Sequence, residues 1–179
     1  VPSARRLTPA SPNAMRVLLF DTYQPEPRRW ALRAADIVEL LPVVRWRRVD
    51  GGPAWALGVF ERHGELVPLL DLPQLLGDPA TEPRVGARIA LMRIAVSETG
   101  GVDTSRGLVG FLLANTAGLA PIDFDAASAY PGFDAAGRTA LGPIAKTSDG
   151  FVQLIDTDRA FGNAERQALL PACNGERGP

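Results

Sequence analysis

Gly58-Val59-Phe60-Glu61-Arg62-His63-Gly64-Glu65-Leu66-Val67-Pro68-Leu69-Leu70-Asp71-Leu72 is the stretch that decides the fold of this 179-residue chain. Two apolar runs, residues 56–61 and 65–70, flank Arg62-His63-Gly64. A glycine there supplies the positive φ that a tight antiparallel reversal needs, so the spacing predicts a β-hairpin. Its second strand runs into Asp71, whose carboxylate can accept hydrogen bonds from the free N–H groups of a following helical turn. Pro73 falls in the first positions of that turn, where its missing N–H costs little. Gly77 suits a left-handed stop.

The same pattern returns towards the C-terminus. Leu141-Gly142 opens a run that reverses through Thr147-Ser148-Asp149-Gly150 and ends Leu154-Ile155-Asp156-Thr157-Asp158-Arg159-Ala160-Phe161-Gly162. Asp156 stands where Asp71 stands, and Gly162 where Gly77 stands. Two hairpin-plus-cap units predict two related β subdomains, with both aspartates as helix caps.

Working outward, short apolar runs are separated by Gly, Pro and Asp turns, the pattern of a barrel or sandwich. Strands are expected at residues 17–23, 30–32, 43–49, 88–96, 108–114, 141–146 and 151–155. A helix is expected at 34–41, where Ala34, Ile37, Leu40 and Leu41 share a face at helical spacing and Pro42 stops it. Residues 1–14 are rich in Pro, Ser and Ala without a period and read as a disordered extension ahead of Met15. Residues 15–162 read as the domain and 163–179 as a tail, frayed at 176–179.

Hydrophobic residues make up 46% and charged residues 22%, ordinary for a chain with a sizeable core. A net charge of −1 argues against a nucleic-acid binder. No run reaches the ~18 apolar residues of a membrane span, and Leu7-Thr8-Pro9-Ala10-Ser11-Pro12 is no signal-peptide core, so the expected compartment is the cytoplasm. Cys173 is the only cysteine and His63 the only histidine, which leaves no internal disulfide, no multi-cysteine zinc site and little for a triad. Gly142-Pro143-Ile144-Ala145-Lys146-Thr147 lacks the glycine that precedes lysine in a phosphate loop. Asp123-Phe124-Asp125, with Asp134, lacks the glycine and distal glutamate of a calcium loop. No catalytic residue, cofactor or metal is expected. Arg45-Trp46-Arg47-Arg48 is the one basic patch interleaved with an aromatic. On a strand, Arg45 and Arg47 face one way and Trp46 and Arg48 the other.

The opening stretch resembles the hallmark of the CheW family. That hallmark is a Gly, apolar residues, Asn-x-Arg-Gly, three residues, Pro, two apolar residues, then Asp-Leu. Gly58, Gly64, Pro68, Asp71 and Leu72 match it, while Glu61 stands in place of the Asn and His63 in place of the Arg. Residues 34–41 resemble the family's Val-x-Glu-Ile helix through Ile37 and Glu39. Leu141-Gly142-Pro143-Ile144-Ala145 and Gln153-Leu154-Ile155-Asp156 resemble its closing hairpin, most like the WspB-type branch of surface-sensing pathways that control cyclic-di-GMP synthesis. The likeness runs over residues 16–161.

The resemblance implies a mainly β fold of two five-stranded β-barrel subdomains packed across a groove, with one or two short helices. It implies a non-enzymatic adaptor that joins the cytoplasmic tip of a methyl-accepting chemoreceptor to the regulatory domain of a CheA-type histidine kinase, with no nucleic acid and no membrane insertion. The partner-binding residues it points to are Ile37 and Glu39, the turn residues Arg62, His63 and Gly64, and Ile89 and Ala90 on a later strand. A histidine cannot copy the planar, permanently charged fork of the family's arginine. The rival reading is a small-ligand-binding or enzymatic barrel that uses the groove.

Overall fold

The computed structural model describes residues 12–23, 26–97, 104–125 and 141–161. Along the chain run β1 (Met15–Thr22), β2 (Arg28–Arg33), β3 (Ile37–Pro42), β4 (Ala56–Arg62) and β5 (Glu65–Asp71). After α1 (Leu72–Leu75) come β6 (Arg88–Ser97), β7 (Thr104–Leu113), β8 (Thr116–Ile122), β9 (Leu141–Thr147) and β10 (Gly150–Ile155). Single 3-10 turns occupy Ala34–Asp36 and Thr157–Arg159. The fold is mainly β, as expected.

The strands form two five-stranded sheets, ordered β8-β1-β2-β10-β9 and β3-β6-β7-β5-β4. Their wiring is equivalent. Each ends in an antiparallel hairpin, β9-β10 or β4-β5, whose second strand pairs in parallel with an inner strand, β2 or β7. That inner strand pairs antiparallel with β1 or β6, which holds the opposite outer strand, β8 or β3. The echo between the two hairpins is therefore an echo between whole sheets. A register shift near Gly58 in one hairpin is matched by one opposite Leu141 in the other.

Side-chain alternation sorts the apolar residues into three clusters. Val17, Ala31, Ile122, Ala145, Val152 and Leu154 fill the concave side of the first sheet. Phe60, Val67, Leu69, Ile89, Leu91 and Leu112 fill that of the second. Between the sheets lies a larger shared core built on Phe20, Trp30, Leu70, Met92, Phe111 and Ile155, closed at one end by Trp55 against Phe161. Over residues 89–92 of β6 and 109–113 of β7, as at 17–18 of β1, successive side chains on both faces are buried, so these stretches read as continuous apolar runs. Leu18 and Phe20 point to the shared core while Val17 points to the inner one.

Each sheet curls round its own cluster without a continuous ladder from first strand to last. In the second sheet the gap is spanned by one bridge beyond β3, where Arg47 and Val59 exchange N–H to O bonds of 2.8 and 2.9 Å. The region between the subdomains is an apolar core, in place of an open groove along its length.

Two local expectations need correction, and a third element, β8, was not expected. Residues 34–41 are a 3-10 turn followed by β3, because β-branched Ile37 and Val38 sit beside β6 and ladder bonds from Met92 to Arg88 outweigh helical spacing. Residues 43–49 reach β pairing only at Arg47. β8 carries Gly118 and Pro121, which disguise it, and both are tolerated because it is an outer strand. The expectations for residues 1–11, Asp134, Gly162, Cys173 and the tail lie outside the described residues.

Candidate partner-binding surface

The β4-β5 reversal is a two-residue loop, His63-Gly64, between the paired Arg62 and Glu65. His63 has φ 51° and Gly64 φ 82°, the two left-handed residues of the primed turn that matches strand twist. Both are exposed, so the imidazole sits at the hairpin tip facing solvent.

Arg62, one residue earlier, turns the other way. Its Nη2 donates to both carboxylate oxygens of Glu39 on β3, at 2.7 and 2.5 Å. Strands β3 and β4 are the two outer strands of their sheet, so this ion pair crosses the seam that Arg47 and Val59 bridge elsewhere. The Arg62 side chain is 29% exposed and that of Glu39 40%. Arg62 Nε is buried with no hydrogen-bond partner. Glu39, expected among the partner-binding residues, is thus a fastener, and Arg62 is already engaged.

Gly58 explains itself at the same seam. Its φ is +142°, and a Cβ there would lie 2.0 Å from the carbonyl oxygen of Arg47 and 2.9 Å from Arg48 Cα. Only a residue without a side chain lets the segment after β3 lie against β4.

The remaining expected residues divide. Ile37 is half-buried at the start of β3, packed on the shared core. Ile89 and Ala90 are 0% exposed on β6 and pair in register with Leu41 and Leu40. They present no surface; their role is to seat β3. Sequence reasoning missed the outward residues of that strand, Val38 and Leu40, which are exposed apolar side chains. Reading residues 37–42 with a period of two exposes them; a helical period hides them.

Asp71 is fully buried and caps α1 as expected. It accepts from Gln74 N at 3.1 Å, Thr81 N at 2.6 Å and Thr81 Oγ1 at 2.8 Å. Asp156 makes no side-chain cap bond and lies 4.0 Å from Arg33 instead, so the expected second cap is corrected. A cleft of about 460 Å³ opens where the end of β1 meets residues 73–84 and Asn115. Its polar groups are spent on one another. Buried Asp78 accepts from Thr22 and Arg28, Thr22 also accepts from Trp30 Nε1, and Tyr23 OH accepts from Asn115. Across the β1-β2 pair, the Asp21 carboxylate accepts from two nitrogens of Arg29 and holds its guanidinium above the ordinary arginine range. Among the described residues, no group of three or more His, Cys, Asp or Glu could hold a metal ion. Asp123 is occupied in accepting from Asp125 N.

The profile of the CheW-like domain family matches residues 17–165. The chain belongs to the CheW-like domain family. This CheW-like domain is similar to the crystal structure of the scaffolding protein TtCheW from Thermoanaerobacter tengcongensis, at 20% identity and TM-score 0.67. The likeness covers 85% of this chain and 97% of that one. No curated protein matches this CheW-like domain. Among its described residues no helix is long and apolar enough to cross a membrane.

Proposed function

We propose that this CheW-like protein is a non-enzymatic cytoplasmic adaptor that couples the cytoplasmic tip of a chemoreceptor-type sensor to a CheA-type histidine kinase. The observation that carries the reading is the family match over both sheets, residues 17–165, on a two-sheet frame like that of a CheW scaffold. A scaffold works through shaped surface alone, and here the outer strand β3 and the β4-β5 turn supply one. On this reading Glu39 and Arg62 set the geometry, Ile37 and the turn residues His63 and Gly64 border the contact, and Ile89 and Ala90 support β3 from beneath. The likeness of the closing hairpin to the WspB-type branch supports placing the pathway in surface sensing.

The test is co-elution of the full chain with the regulatory domain of a CheA-type kinase, and separately with a receptor cytoplasmic hairpin. Complexes at micromolar concentration support the reading. A small molecule retained through purification, with no binding to either protein, would replace it with a ligand-binding barrel.

A further inference from the structure

Among the described residues, Arg45, Arg47 and Arg48 are all exposed and make no ion pair; Arg28, Arg29, Arg33, Arg62 and Arg84 are each paired, and the exposed Arg16, Arg93 and Arg159, also without one, stand apart from one another. Three free guanidiniums in four consecutive positions would ordinarily sit on a mobile loop, where their repulsion relaxes by spreading. Here the backbone under them is pinned. Arg47 exchanges two hydrogen bonds with Val59, Trp46 packs inward on the cluster around Phe60, and Gly58 admits the Arg47 carbonyl at a distance no side chain would allow. Pairing Arg47 with Val59 puts Arg45 and Arg47 on the outward face, two residues apart, about 7 Å.

We propose that this strip, beside the seam that the Glu39–Arg62 pair crosses, is a further docking surface for an acidic protein segment in extended conformation with carboxylates at alternate positions. An extended peptide repeats its side chains on one face at the same ~7 Å, and the guanidinium fork takes a carboxylate through two parallel hydrogen bonds. The strip is about 10 Å long, room for two acidic side chains over Arg45 and Arg47 with Arg48 adding charge at its end, and too short to follow a nucleic-acid backbone. Exposed Glu61, on the same outward face of β4 and opposite Arg45 in the register that Arg47 and Val59 set, lowers the positive field from the side, and Asp50 ends it beyond the strip. Their charges disfavour a long polyanion and set the limits of a short acidic match.

The inference goes beyond the adaptor reading and is tested without its partners. The probe is a fluorescent twelve-residue peptide of alternating Glu and Ser, with alternating Gln and Ser as control, titrated by anisotropy against the full chain at low salt. The acidic peptide is expected to bind and the control is not. Arg45→Gln/Arg47→Gln/Arg48→Gln is expected to weaken binding about tenfold or more, at one weak charged pair per arginine. Glu61→Gln is expected to tighten it about two- to threefold by removing a like charge from the same face. Should the triple variant fail to fold, Arg45→Gln/Arg48→Gln keeps Arg47 and still has to weaken binding severalfold. Equal affinity for both peptides, no loss in the variants, or a 20-base-pair duplex or phosphatidylserine vesicles bound more tightly than the acidic peptide would overturn the proposal. Acidic-peptide binding by a full chain that fails to bind a CheA-type regulatory domain would remove the adaptor reading and uphold the strip.

Discussion

A single missing side chain governs the seam of the second sheet. Gly58→Ala puts a methyl into the space of the Arg47 carbonyl at a φ that side chains rarely adopt. The expected cost is on the order of 3 kcal/mol, from overpacking and backbone strain together, read as a drop in the denaturation midpoint. A loss below ~0.5 kcal/mol would mean that the segment after β3 moves aside freely. Glu39→Arg sets two guanidiniums against each other over a pair that is partly open to water. Its expected cost is about 1–2 kcal/mol, larger than for an exposed pair because Arg62 Nε already lacks a partner. The exchanged pair Glu39→Arg/Arg62→Glu should recover at least half of that loss, and no recovery would deny a direct coupling between the two. At this scale the sequence was only partly legible. Gly58 and Gly64 stood out because turns and close approaches announce themselves through glycine. The Glu39–Arg62 contact lies between outer strands of one sheet, 23 residues apart, and nothing in local spacing reports it.

The two hairpins are legible as elements because each carries its own turn chemistry and its own terminal aspartate. Their caps are nonetheless unequal. Asp71→Ala leaves the partly buried N–H groups of Gln74 and Thr81 without their acceptor, with an expected cost of about 2–3 kcal/mol. Asp156→Ala removes only a long contact to Arg33 and should cost about 0.5 kcal/mol or less. Similar losses at both positions would restore the symmetry that the hydrogen bonds deny. The misread element, residues 34–41, contains apolar residues that fit a period of 3.6 over two turns. Over so few residues a strand with a bulge between Ile37 and Glu39 produces much the same spacing. Only the partner strand β6 breaks the tie, and pairing is a tertiary fact. Ile89 and Ala90 misled for the opposite reason, since a strand buried on both faces shows no alternation that separates surface from core.

Across the whole molecule, the shared core ties the two sheets into one unit. Phe111→Ala removes an aromatic that is fully buried against residues of both sheets and stacks on Phe161, with an expected cost of about 3–5 kcal/mol. Its thermal unfolding should remain a single transition by fluorescence and circular dichroism. Two separated transitions would mean that the sheets hold themselves up independently. A chain starting at Met15, the first residue of β1, is expected to melt within a few degrees of the full chain. A large drop would assign the preceding residues a part in the core. The overall class was legible because turn residues punctuate the chain so often; the division of labour between inner clusters and shared core was not, since all three use the same apolar alphabet. One feature of the wiring reaches back to synthesis. The second sheet takes five strands in succession, β3 to β7, and is complete as soon as that stretch leaves the ribosome. The first sheet begins with β1 and β2 and then waits for β10, which must enter beside β2 more than a hundred residues later. During that interval Trp30 and Leu32 have only the half-built shared core to cover them, so the nascent chain depends on its middle to shelter its beginning, and slow delivery of the last hairpin lengthens the exposure.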